Sequence, residues 1–98
     1  MKYQVVLRGE NFQLMSEGKV KNLGFFTTRW VKAESVEDAE QQAVALIKRD
    51  DFLIAMMVDQ PTLQPMIYLE EIAVAKWWKR VGGKGYSFWE MEPDAVAK

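Results

Sequence analysis

Few side chains in this sequence of 98 residues can do acid, base, nucleophilic or metal chemistry, because it contains neither cysteine nor histidine. Their absence excludes disulfides, thiolate nucleophiles, cysteine-bound zinc or iron–sulfur clusters, imidazole bases, Ser-His-Asp triads and H-E-x-x-H metal sites. Carboxylates, Lys, Arg, Tyr and hydroxyls remain. The carboxylate pairs are Asp50-Asp51 and Glu70-Glu71. If Glu70 and Glu71 lie on a strand they point to opposite faces and cannot serve one substrate as an acid–base pair. Asp50, Asp51 and Asp59 lack the acid-Gly-acid spacing of a calcium loop. Gly82-Gly83-Lys84-Gly85 is not a phosphate loop either, since Tyr86 follows where G-x-x-x-x-G-K-[ST] would open a helix. The expectation is a non-enzymatic protein with no metal site and no cofactor.

Three other constellations point to binding. From Lys76 to Lys84 there are four cations (Lys76, Lys79, Arg80, Lys84) and no acid, with Trp77 and Trp78 among them. Rings that stack on bases and cations that follow phosphates are the means of holding a single-stranded nucleic acid. The chain carries 13 basic and 14 acidic residues, so the remainder holds 9 basic against 14 acidic and the near-neutral total conceals a local dipole. A second constellation is Arg29 with Thr27 in mid-strand. Glu70 or Glu71 on a neighbouring strand would pair with Arg29, and a cleft there would suit a small anion. The third is apolar. Met56 and Met57, with Phe52, Ile54 and Met66 nearby and Trp77 and Trp78 further on, suggest an adaptable surface for a protein partner or a second copy. Four Trp are more than one thin core layer easily hides.

The elements that must position these groups are readable from periodicity. Tyr3, Val5 and Leu7 alternate with polar neighbours in a first strand. Gly9-Glu10-Asn11 interrupts it as a bulge, and Ser16-Glu17-Gly18-Lys19 is a turn. Phe25 to Ala33 is a β-branched and aromatic run without Gly or Pro, hence a second strand. Either of its faces could be core. Ser35 begins a capping box, and Val36, Ala39, Ala43, Leu46 and Ile47 then recur at helical spacing, which predicts one main helix from Ser35 to Arg49. Asp50-Asp51 can stop this helix and cap a second, shorter one through Phe52 to Val58. That run holds strand formers as well as helix formers, with the short helix as the expectation, and Pro61 and Pro65 bracket a loop. Met66 to Lys76 reads as a third strand, with Ile67, Leu69, Ala73 and Ala75 opposing Tyr68, Glu70, Ile72 and Val74, and a helix over Glu70 to Lys79 is the competing reading. Tyr86 to Met91 is the last strand.

Strands in pairs joined by short turns predict an α+β two-layer sandwich, a mostly antiparallel sheet of about four strands with the main helix on one face. A chain this long buries roughly 60 to 70% of its unfolded surface, enough for one core, so residues 1–92 form one domain and 93–98 a frayed tail. Its longest apolar run, Phe52 to Val58, is far too short to span a bilayer, and no signal-peptide core follows Met1. A cytoplasmic location without membrane contact is the expectation.

The initial K-Y-x-V strand, the block Gly24 to Ala33 and the helix opening Glu34-Ser35-Val36-Glu37-Asp38-Ala39-Glu40 look like those of small bacterial α+β proteins. The strand-to-helix junction is also similar to that of HicB-type antitoxin domains. That resemblance implies an antiparallel sheet with a packed helix and, as partner, a small RNA-cleaving toxin. The second half, with its Trp pair and Gly-rich turn, departs from the pattern, and no functional residue is transferred. The leading expectation is a protein-interaction module acting through Met56, Met57, Trp77 and Trp78, self-association included. A single-stranded nucleic-acid module using Lys76 to Lys84 comes second, and an anion cleft at Arg29, Glu70 and Glu71 third.

Overall fold

The computed structural model describes residues 1–59, 61–76, 78, 81–83 and 85–91. The elements are β1 (Lys2–Ser16), β2 (Lys19–Lys32), α1 (Val36–Lys48), α2 (Asp51–Met56), β3 (Met66–Val74) and β4 (Ser87–Glu90). All strand pairs are antiparallel, in the order β3-β1-β2-β4. Both helices pack on one side of this sheet, giving the expected α+β layers, and the core lies between them. Among the described residues no helix is long and apolar enough to cross a membrane. The tail at 93–98 lies outside the described residues.

The β1–β2 hairpin turns on Glu17 (φ 54°) and Gly18 (φ 77°). Two left-handed residues make the type I′ loop whose twist matches that of the flanking strands. A second irregularity, between Gly9 and Phe12 with Asn11 at φ 62°, is the expected bulge. It preserves the core through a change of phase. Before it the odd residues Tyr3, Val5 and Leu7 are buried; after it the even residues Phe12 and Leu14 are.

On β2 the structure selects the face the pattern left open. Phe25, Thr27, Arg29, Val31 and Ala33 lie under the helices, and Phe26, Thr28, Trp30 and Lys32 face away. On α1 the Ser35 hydroxyl accepts from the Asp38 N–H at 3.1 Å, while Asp38 reaches back to the Glu34 N–H at 3.4 Å. Ala39, Ala43 and Ile47 form its buried stripe. Asp50 caps α2 through the Phe52 N–H at 3.1 Å.

The third strand departs from the simple alternation. Val6 stands opposite Glu71 but Leu7 opposite Leu69, so Glu70 is an inserted residue. This puts Ile72 on the same side as Ile67 and Leu69 instead of opposite them, and the strand ends at Val74 rather than Lys76. Three apolar residues spaced two and then three apart share one face only if one residue bulges out. The last strand is also shorter than expected, because Tyr86 precedes β4 and is held from the side by other contacts.

Candidate functional site

Arg29 heads the list of large side chains buried between sheet and helices, at 2% exposure. A guanidinium in that layer is tolerable only if its charge and donors are met. Its Nη1 donates to Thr27 Oγ1 at 2.5 Å and to the Thr28 carbonyl at 3.1 Å, and its Nη2 lies 3.6 Å from Asp50 Oδ2. The face of the Tyr86 ring covers it at 5.0 Å. The Thr27 hydroxyl donates onward to the Gly85 carbonyl at 2.5 Å, and the Tyr86 hydroxyl donates to Asp50 Oδ2 at 2.6 Å. Burial first, and then this bond to Asp50, pushes the Tyr86 phenol well above its ordinary pKa, so it stays protonated. The cluster joins β2, the α2 cap and the segment leading into β4. Its side chains direct their polar atoms to one another and to the backbone of Thr28, Phe52 and Gly85, which makes it a structural tie.

The anion cleft expected from the sequence is therefore not assembled. β1 separates β2 from β3, so neither Glu70 nor Glu71 adjoins Arg29. Glu70 binds Arg8 at 3.0 Å and Glu71 stands opposite Val6, both on the face away from the helices. Asp50 takes the role assigned to them. Its capping function was legible in the sequence; its second function was not, because the pairing depends on where α2 lands on the sheet.

The face opposite the helices is the larger candidate surface. Val6, Phe26, Trp30, Tyr68 and Trp89 lie on it, with Phe26 41% and Tyr68 38% exposed. The Phe26 and Trp89 rings are 4.9 Å apart, and Trp89 also lies across Gly24, where a β-carbon would stand 2.3 Å from the indole. Trp30 Nε1 donates to Gln4 Oε1 at 3.1 Å. Between Phe26 and Trp30 is a shallow cleft of about 330 Å³ lined by Thr28, Gly85 and Ser87. Arg8 sits near the middle of this face, paired with Glu10 at 3.1 Å and Glu70 at 3.0 Å and over the Tyr68 ring at 4.9 Å. Lys2 and Lys32 stand opposite each other at one end.

The apolar residues singled out in sequence fall in two places. Met56 and Met57 pack partly against the core, and Met57 bridges Leu14 near the hairpin. Trp78, 57% exposed with the Lys76 ammonium 5.1 Å from its ring centroid, lies between Ala75, which bonds to Lys2, and Gly82, which bonds to Trp30. Leu14 and Lys2 are roughly 35–40 Å apart along β1 at ~3.3 Å per residue, so these residues do not form one patch. Trp77, Lys79, Arg80 and Lys84 lie outside the described residues. Among the described residues no cluster of three or more acids could hold a metal. No protein family, curated protein or solved structure matches the chain.

Proposed function

We propose that this chain is a non-enzymatic protein-interaction module whose partner is a second copy of itself, docked through the helix-free face of the sheet. The observation that carries this reading is the placement of Val6, Phe26, Trp30, Tyr68 and Trp89 together on the face opposite both helices. Aromatic and aliphatic side chains gathered on one open face, with the central Arg8 already neutralised by Glu10 and Glu70, are what interfaces are made from. Four strands spaced ~4.8 Å apart and averaging about ten residues in length present roughly 600 Å², close to the ~800 Å² per partner of a standard interface.

The charges favour one arrangement. A two-fold axis running across the strands at Val6 sets Lys2 of one copy over Glu10 of the other and Trp30 over Phe26, ion on counter-ion and ring on ring, against a single like-charge meeting of the two exposed Glu71 side chains on the edge strand. An axis along the strands would set Lys2 against Lys32. The absence of native cysteine makes the test direct. In Val6→Cys a short bismaleimide, able to span the ~10 Å between packed sheets, yields a covalent dimer, whereas in Val20→Cys at the hairpin it does not. Sedimentation shows a concentration-dependent monomer–dimer equilibrium. A monomer at every concentration, with no crosslink at Val6→Cys, overturns the reading.

A second reading rests on a specific observation. Lys2 and Lys32 flank the Trp30 end of the same face, beside the cleft between Phe26 and Trp30 and near the Lys76–Trp78 pair. Cations next to accessible rings suit a single-stranded nucleic acid. Labelled single-stranded RNA then binds saturably at low salt and weakens as salt rises; no binding at low salt removes this alternative.

A further inference from the structure

On the helix side a separate feature is absorbed neither by the buried tie nor by the open face. A groove of about 430 Å³ runs between α1, α2 and the approach to β3. Its floor is Phe12, Ile47 and Leu53, all buried, and its walls include Ile54, Met57 and Met66. This volume is in the range of small-molecule sites, and thioether side chains adjust to irregular apolar shapes. Lys48 alone among the lining residues carries a charge. Among the described residues no carboxylate lies within salt-bridge distance of it.

An apolar trough whose lining includes one cationic side chain, Lys48, complements a molecule that is an alkyl chain at one end and an anion at the other. We propose that the groove binds a medium-chain carboxylate, with the chain against the accessible side chains of Val44, Ile54, Met57, Met66 and Ile67, above the buried Phe12, Ile47 and Leu53, and the carboxylate at Lys48. The competing account is that Lys48 only complements the C-terminal end of the α1 dipole. The two differ in what ligands they predict. If the chain enters the groove, affinity rises about fourfold per added methylene from hexanoate to decanoate. If Lys48 holds the head group, decanoate binds and decyltrimethylammonium does not.

The test is carbon–proton NMR of the intact chain, following the methyl groups of Ile47, Leu53, Ile54, Met57 and Met66 during titration with decanoate below its micellar concentration. Saturable shifts confined to these methyls are expected. Lys48→Gln weakens decanoate roughly tenfold, and Ile54→Glu, on the half-exposed wall where folding is little affected, abolishes the shifts. The proposal is overturned if decanoate causes no shifts at millimolar concentration. It is equally overturned if decyltrimethylammonium reproduces the shifts or if neither variant changes them.

Discussion

Under the helices the sheet of this protein presents Arg29 and Thr27, polar groups in its most buried layer. On the opposite face it presents Phe26, Tyr68, Trp30 and Trp89, aromatic groups that solvent reaches to different degrees. Composition alone would assign these sets the other way round. What separates the faces is partnership. Arg29 has Thr27, the Thr28 carbonyl, Asp50 and Tyr86 around it, whereas Phe26 has Trp89 on one side and water on the other. The covered face thus uses polar contacts to fix three elements in register, and the open face leaves apolar area in solvent. On this view substitutions under the helices act on folding, and substitutions on the open face act on association.

The largest effect should follow from removing the counter-ion of Arg29. Asp50→Ala leaves a guanidinium that is 2% exposed without its carboxylate, and also strips the cap of α2. Breaking one side of a buried pair costs about 3–5 kcal/mol, and the partial exposure of Asp50 places this case near about 3. Thermal unfolding should then fall by roughly 12–24 °C. Adding Arg29→Met to Asp50→Ala should recover part of the loss, because no uncompensated charge remains buried. A loss below about 1 kcal/mol for Asp50→Ala in urea unfolding would break the contrast between the faces at its strongest point.

How much of this contrast could be read from the sequence depends on the range of each interaction. The Ser35 and Asp50 caps, the Gly18 turn and the bulge after Gly9 are local, and their residue types announced them. The burial of Arg29 was hidden because β2 is amphipathic on neither reading: Phe25 and Val31 lie on one face, Phe26 and Trp30 on the other. Only the side on which α1 packs decides between them. Glu70 and Glu71 were plausible partners for Arg29 until strand order was known. A hairpin β1–β2 followed by β3 on the far side of β1 puts them out of reach, and no local pattern encodes that crossover. The bulge at Glu70 was visible in principle, since Ile67, Leu69 and Ile72 are spaced two and then three apart.

A matched pair of glycines compares the faces at one position each. A β-carbon on Gly9 would stand 2.3–2.8 Å from the Phe25 ring, and one on Gly24 would stand 2.3–2.9 Å from the Trp89 indole. The crowding is the same but the freedom to relieve it is not. Phe25 is held by Phe12, Tyr86 and Phe88 at centroid distances of 4.9, 5.1 and 5.9 Å. Trp89 has Phe26 beside it and solvent beyond. Gly9→Ala should cost about 2 kcal/mol, within the range for overpacked cores, and Gly24→Ala less than about 1 kcal/mol as the indole swings outward. Equal costs in urea titrations would mean that the open face is as rigidly packed as the covered one.

Alkaline pH sharpens the comparison through Tyr86. In the unfolded chain a tyrosine loses its proton near pH 10, while burial and the bond to Asp50 keep Tyr86 protonated in the fold to higher pH. Above pH 10 the unfolded state therefore binds fewer protons than the native state. The stability this group contributes is present below pH 10 and is lost as pH rises from there, by about 1.4 kcal/mol per pH unit. Tyr86→Phe should cost about 1 kcal/mol at neutral pH through the lost hydrogen bond, and should show a correspondingly shallower decline above pH 10. Parallel declines for the two proteins would place Tyr86 outside the buried tie.

The smallest expected effect on folding comes from the open face, where it is the most informative. Phe26→Ser removes an exposed ring whose ordered contact is the tilted stack on Trp89 at 4.9 Å. An aromatic pair contributes about 0.5–1.5 kcal/mol when both rings are covered, so in dilute monomer the loss should stay below about 1 kcal/mol. In a dimer the same ring lies against Trp30 of the second copy, near the centre of the contact, where truncation of an aromatic anchor typically weakens binding by tenfold or more. Sedimentation of Phe26→Ser should therefore show a monomer at concentrations where the unaltered chain associates, while the urea midpoints of the two chains as dilute monomers stay almost equal. If the unfolding free energy of the dilute monomer falls instead by several kcal/mol, Phe26 belongs to the packing of the fold itself, and both faces of this sheet would be structural.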